Sequence, residues 1–295
     1  MLCAKRQLNG EVAIAYSESK ANAPFLCPEC NEEVVLRSGR VRVNHFAHRI
    51  PQNCHNGTGE SDVHRRCKME IYEALLRTPG VTNVELERPL DTNRPDISAY
   101  INGIPVAIEV QISALSMESI IRRTAEYSRK GIYVLWLAQW TPYLDGVRYS
   151  PRLWEKWIHA AYFGRIYYWL EGLKVASYHF DPYFKNIPES SWYSDRGEQM
   201  SSRGYSRRSK RYRSPVRKRI LSLVEDFLPK DREWWKGSDF VIPTSKLFME
   251  RISHGAHSKR IIRENVRNPF CNSECILPVL CHTTNDPFRL EDIRI

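Results

Sequence analysis

From Ile104 to Ser113 the chain alternates, placing Ile104, Val106, Ile108, Val110 and Ile112 on one face and Ala107, Glu109, Gln111 and Ser113 on the other. A period of two predicts a strand that turns its apolar face to a core. Asn102-Gly103 separates this run from a second strand-like run at 94–101. A two-residue Asn-Gly loop predicts a type I′ hairpin, because both of its central residues need positive φ. If Ile101 pairs with Ile104, paired positions sum to 205. Asp96 then lies opposite Glu109, and Arg94 opposite Gln111.

Upstream the period changes. Residues 60–77 predict a helix with Ile71, Leu75 and Leu76 on its apolar stripe, ended by Pro79-Gly80. Glu60, His64 and Lys68, four residues apart, share one face of it as a polar column. Strands are expected at 84–90 and 132–137, with a helix at 117–130 between the hairpin and the last strand. The order is αβββαβ. Further on, 151–161 reads as helical, and Glu171-Gly172 marks a second hairpin whose Tyr167, Trp169 and Val175 are expected in the core. An α-rich region is expected over 216–262, interrupted by a strand at 240–243.

Two positions carry candidate chemistry. Directly opposed Asp96 and Glu109 would have Cβ atoms about 4.5–5.5 Å apart, and like charges there are destabilising unless neutralised. A hard divalent cation supplies that neutralisation. Near the N-terminus, Cys27 and Cys30 form a CxxC knuckle, followed by a short hairpin through Ser38-Gly39 and then by His45, His48 and Cys54. This spacing fits a tetrahedral structural zinc site, for which five candidates compete for four places. A redox CxxC requires a helix after the motif, and here a strand is expected. Near the other end, Cys271, Cys275, Cys281 and His282 are irregularly spaced and read as free cysteines rather than a second zinc site.

The αβββαβ order, with Asp and Glu on the second and third strands and Glu on the first helix, resembles the PD-(D/E)xK nuclease superfamily. Glu60-Ser61 with His64 and Lys68, then Arg94-Pro95-Asp96, Ile108-Glu109-Val110-Gln111, Arg123, Tyr127 and Trp136, is similar to the competence protein CoiA nuclease-like family. The resemblance implies an α/β fold: a restriction-endonuclease-like αβββαβ core, an N-terminal zinc ribbon and a C-terminal α+β region. It implies Mg²⁺ or Mn²⁺ held by Asp96, Glu109 and the Val110 carbonyl, with Glu60 binding a second ion or orienting the attacking water. Gln111 stands where the superfamily carries lysine, and an amide cannot supply a positive charge. Lys68 is the candidate for a migrated lysine, with His64 contacting phosphate. Because the family pattern includes an HFxH stretch followed by cysteine, Cys27, Cys30, His48 and Cys54 are the favoured zinc ligands, with His45 as the alternate. The implied activity is metal-dependent hydrolysis of DNA in uptake, recombination, repair or defence. An inactive, nuclease-derived module that binds single-stranded DNA is the alternative.

Charge adds a partner. The chain of 295 residues carries a net charge of +10, and residues 196–219 hold ten Lys or Arg against one Glu, a local +9. Rich in Ser, Gly and Arg, this stretch reads as a disordered linker, with Arg203, Arg207, Arg208, Lys210, Arg211 and Arg213 contacting phosphates and Tyr205 and Tyr212 stacking on bases. The expected divisions are a zinc ribbon at 1–58, a nuclease-like core at 59–145, a helix and hairpin at 146–190, a basic linker at 191–219 and a mostly helical region at 220–295. No apolar run is long enough to span a membrane, and residues 1–20 lack a secretory pattern. A cytoplasmic location and reduced thiols are therefore expected. There is no Gly-rich phosphate loop, so ATP dependence is not expected.

Overall fold

In a computed structural model of the protein, the described residues are 1–49, 54, 60–91, 93–112, 115–237 and 239–251. The region of Cys271, Cys275, Cys281 and His282 lies outside them. The first unit is a five-stranded antiparallel sheet made from β1 (Cys3–Arg6), β2 (Val12–Ile14), β3 (Phe25–Leu26), β4 (Glu33–Arg37) and β5 (His45–His48), in the order β2-β1-β3-β4-β5. Phe25, Val34, Leu36 and Phe46 form its own small core. A strand therefore follows the CxxC knuckle, as the zinc reading requires.

Next come α1 (Asp62–Leu76), β6 (Val81–Leu86), β7 (Ile97–Ile101), β8 (Ile104–Gln111), α2 (Met117–Arg129) and β9 (Tyr133–Gln139), which is the αβββαβ order. Asn102 and Gly103 have φ of +50° and +79°, and Ile101 pairs with Ile104 and Ile97 with Ile108. The hairpin register is the expected one. The ladder stops at Ile97, one pair short of Asp96. In this register Val110 would face Pro95, and the Asp96 carboxylate takes the Val110 N–H instead, at 2.8 Å. Strand β6 ends at Leu86 rather than near residue 90, because Glu87 adopts a φ of +49°. β8 also differs from the half-solvated strand that its alternation predicts. Every residue from Val106 to Gln111 is buried, on both faces.

Of the remaining strands, five extend the same sheet and four form two separate two-stranded sheets. They are β10 (Ile166–Glu171), after α3 (Leu153–Ala161), then β11 (Lys174–Ile187), β12 (Ser190–Tyr193), β13 (Gln199–Ser202), β14 (Tyr205–Ser222), β15 (Phe227–Arg232), β16 (Trp235–Lys236), β17 (Val241–Ile242) and β18 (Ser245–Glu250). Among the described residues the large sheet runs β14-β11-β10-β9-β8-β7-β6, and β15 joins it through β18, which lies parallel to β9. Tyr167, Trp169 and Val175 are core residues, as expected.

Two expectations fail here. The basic segment is not a linker, since β14 pairs with β11 from Tyr205 to Ser222. Its composition resembles disorder, but backbone hydrogen bonds to β11 and the burial of Leu221 hold it as a strand. The region from 216 to 251 is likewise built from strands rather than helices. Residues 252–262 lie outside the described part.

Candidate active site and metal centre

Ser61 caps α1, its hydroxyl accepting the His64 N–H at 3.2 Å. Glu60 therefore precedes the helix, yet its carboxylate stays in the polar column: His64 Nδ1 lies 3.5 Å from it, and Lys68 Nζ is in direct contact. Lys68 is buried and also binds Glu87 Oε1 at 2.6 Å and Asp96 Oδ1 at 3.4 Å. His64 Nε2 lies 3.3 Å from Asp96 Oδ2. One helix face thus meets the carboxylate at the end of the hairpin.

Burial raises the pKa of the Asp96 carboxyl, but Lys68, His64 and the Val110 N–H outweigh it and hold Asp96 well below the usual carboxylate range. Glu60 follows the same logic: burial opposes ionisation, and Lys68 and the Met1 ammonium reverse it. Lys68 is kept charged, its pKa raised by Glu87, Asp96 and Glu60 against the cost of burial.

Glu109 sits apart from this group. It is 2% exposed, and its Oε1 receives both the Arg123 guanidinium and the Tyr127 hydroxyl from α2. Burial pushes its carboxyl up to about 7, with Arg123 opposing and nearby Asp96 adding to the rise. Arg123 also donates to the Arg94 carbonyl at 2.9 Å and lies 5.7 Å from the Trp136 ring, while Trp136 Nε1 donates to Thr124 at 3.0 Å. These contacts explain why Arg123, Tyr127 and Trp136 accompany the acidic motif. Gln111, buried, closes β8 next to Ala138 of β9.

Sequence reasoning missed Glu87. Its carboxylate accepts the Leu2 N–H (3.0 Å) and the Cys3 N–H (3.2 Å) of the N-terminal sheet while binding Lys68. A lone glutamate between two strands carries no periodic signal. Only the docking of β1 against α1 reveals its role.

In the N-terminal unit, Cys27, Cys30, His48 and Cys54 bring their ligand atoms within 4.8 Å of one another. Cys27 Sγ and Cys54 Sγ are 3.9 Å apart, close to the roughly 3.8 Å edge of a tetrahedron with 2.3 Å metal–sulfur bonds. Cys30 Sγ lies 3.2 Å from His48 Nε2. The group is compatible with structural zinc. His45 is not part of it, because its Nδ1 faces the Val43 carbonyl at 2.9 Å.

Of the basic residues expected to contact phosphate, Arg203, Arg207, Lys210 and Arg211 are exposed and Arg208 is half-buried. Arg213 is buried, its Nη1 donating to the Ser209 and Tyr212 carbonyls at 3.0 and 2.9 Å. It shapes the strand instead of reaching for a ligand.

Residues 60–145 match the family model described as competence protein CoiA, nuclease-like domain, and residues 11–57 match competence protein CoiA, N-terminal domain. Over these two stretches the chain is CoiA-like. The nuclease-like match begins at Glu60 and contains the whole cluster from α1 to Trp136, whereas the N-terminal match covers all five cysteine and histidine candidates for zinc. Competence protein CoiA of Bacillus subtilis (strain 168) is 29% identical over 116 residues, a stretch covering 38% of this chain and 31% of that relative. The chain thus spans about a third of the length of the curated relative it matches. No solved structure matches it. Among the described residues, no helix of this CoiA-like chain is long and apolar enough to cross a membrane.

Proposed function

We propose that the chain is a metal-dependent nuclease that hydrolyses phosphodiester bonds of DNA, in the competence-related setting that its relative's name suggests. The convergence of His64 and Lys68 with Asp96 at the end of the β7–β8 hairpin carries this reading. The donor set suits a hard cation: Asp96 is held as an anion, Glu109 follows on the adjacent strand, and the Val110 carbonyl projects from the same strand edge as the N–H given to Asp96. When bound, Mg²⁺ or Mn²⁺ would polarise the phosphate and acidify a water. The protein's own groups do the rest. Lys68 supplies, from α1, the positive charge that Gln111 lacks, and His64 is placed to contact a phosphate oxygen. Arg123 and Tyr127 hold the Glu109 carboxylate in one orientation.

A second reading rests on the same contacts. Lys68 and Arg123 already neutralise Asp96 and Glu109, as expected of a nuclease-derived module that binds single-stranded DNA without cutting it. Labelled single- and double-stranded DNA, incubated with Mn²⁺, Mg²⁺ or EDTA, separates the two. Cleavage with a divalent ion, lost in Asp96→Ala and in Glu109→Ala while zinc content is kept, is the expected result. No cleavage by the wild-type chain with either metal would assign it to the binding module.

A further inference from the structure

The outer ends of β11 and β14 extend beyond the compact sheet as a two-stranded ribbon, in which Lys185 pairs with Arg207 and Ile187 with Tyr205. Two cations directly opposite one another destabilise a ladder unless an anion joins them. Among the described residues none does. The ion pairs that these two strands make involve other groups: Arg219 with Glu250, and His179 with Asp181.

The strand is bulged at this point. Between the pairs Pro182–Arg213 and Phe184–Arg208, β14 gains Ser209, Lys210, Arg211 and Tyr212 opposite a single residue, Tyr183. Buried Arg213 pins this bulge through the carbonyls of Ser209 and Tyr212. Tyr212 gathers Arg148 (5.0 Å), Arg211 (5.2 Å) and Lys185 (5.9 Å) around its ring. The side chains of Arg148, Lys185, Arg207 and Arg211 are exposed, and so are the rings of Phe184 (55%) and Tyr205 (52%).

We propose that this ribbon, with the Arg148 loop, is a docking platform for single-stranded nucleic acid. The inference rests on the nucleic-acid reading above and adds the surface and the strandedness. Unpaired cations suit phosphates of either form, but exposed rings among them suit bases with free π-faces, which a duplex does not offer. The platform is tied to the catalytic strand. Tyr149 bridges Arg213 by backbone hydrogen bonds of 2.8 and 2.9 Å, and Arg152 donates to the Ile112 carbonyl just past β8 at 3.3 Å. Arg148 to Arg152 spans at most about 14 Å of chain, a few nucleotides of an extended strand.

The test measures binding of labelled oligothymidine, and of its duplex with oligoadenosine, to the full zinc-loaded chain without Mg²⁺ or Mn²⁺ over a range of salt. The single strand should bind more tightly than the duplex. Lys185→Gln with Arg207→Gln should make the salt dependence shallower by about 1.4, at about 0.7 per lost phosphate contact. Tyr205→Ala should weaken single-strand binding about tenfold. Arg148→Gln with Arg211→Gln provides an independent pair if the first variant does not fold. Unchanged affinity and slope in both pairs would overturn the platform, and tighter duplex binding with no effect of Tyr205→Ala would overturn its strandedness. Because binding is read without Mg²⁺ or Mn²⁺, a protein that binds in this way but never cuts overturns the nuclease reading alone.

Discussion

Lys68 is the residue on which the candidate site depends, because one buried ammonium serves Glu60, Glu87 and Asp96. Replacing it with methionine keeps the volume but takes the shared cation from buried Glu87 and from the part-buried carboxylates of Glu60 and Asp96. Breaking a buried pair from one side costs about 3–5 kcal/mol. Urea unfolding of Lys68→Met should show a loss of at least that size, and DNA cleavage should disappear with it. The carboxylates also predict opposite pH slopes in metal-free protein. Asp96 and Glu60 have folded pKa values below their ordinary 3.8 and 4.5, so the stability they contribute is present above those values and is lost as pH falls through the folded ones. Glu109, raised to about 7, behaves in the reverse sense: its contribution is complete below its ordinary 4.5 and is lost as pH rises to about 7. In urea titrations, Asp96→Asn should flatten the acid limb, and Glu109→Gln should remove part of the decline between pH 4.5 and 7.

At the level of elements, the N-terminal sheet and the nuclease-like core meet through Glu87, whose carboxylate holds the backbone of β1 and the ammonium of α1 together. The positive φ of Glu87 ends β6 and turns its side chain into that junction. The zinc group lies in the same N-terminal unit, with Cys27 at the end of β3 and His48 at the end of β5. Zinc binding is coupled to folding, so Cys27→Ser or Cys30→Ser should release about one equivalent of zinc and expose residues before α1 to protease. Retention of zinc in both variants, or its absence from wild-type protein purified in reducing buffer, would contradict a structural role.

At the scale of the whole molecule, the large sheet ties the basic segment to the core. β14 is the strand beyond β11, and its Leu221 is buried, as is Leu223 just past its end. Removing 205–222 should therefore lower the melting temperature sharply, in contrast to the silent deletion expected of a linker. Removing 190–202 should leave it nearly unchanged. That stretch forms its own two-stranded hairpin, β12–β13, whose residues are almost all exposed. Thermal unfolding of the two deletion variants checks both outcomes.

Local chemistry was legible in the sequence. Asn102-Gly103 determined the hairpin and its register, because a type I′ turn admits few residues and strand pairing propagates from it. The helical spacing of His64 and Lys68 placed both on one face, and the CxxC knuckle with its later His and Cys contained the metal group. What stayed hidden depended on partners distant in sequence. Glu87 acquires its role only when Leu2 and Cys3 dock beside it, 85 and 84 residues away. The family pattern favoured His48 over His45, and the structure supplies the reason: His48 joins the cysteines while the His45 ring faces the Val43 carbonyl. Most plainly, the composition of 196–219 pointed to disorder. β14 is ordered by backbone hydrogen bonds to β11, and neither side-chain charge nor local periodicity encodes such a partner.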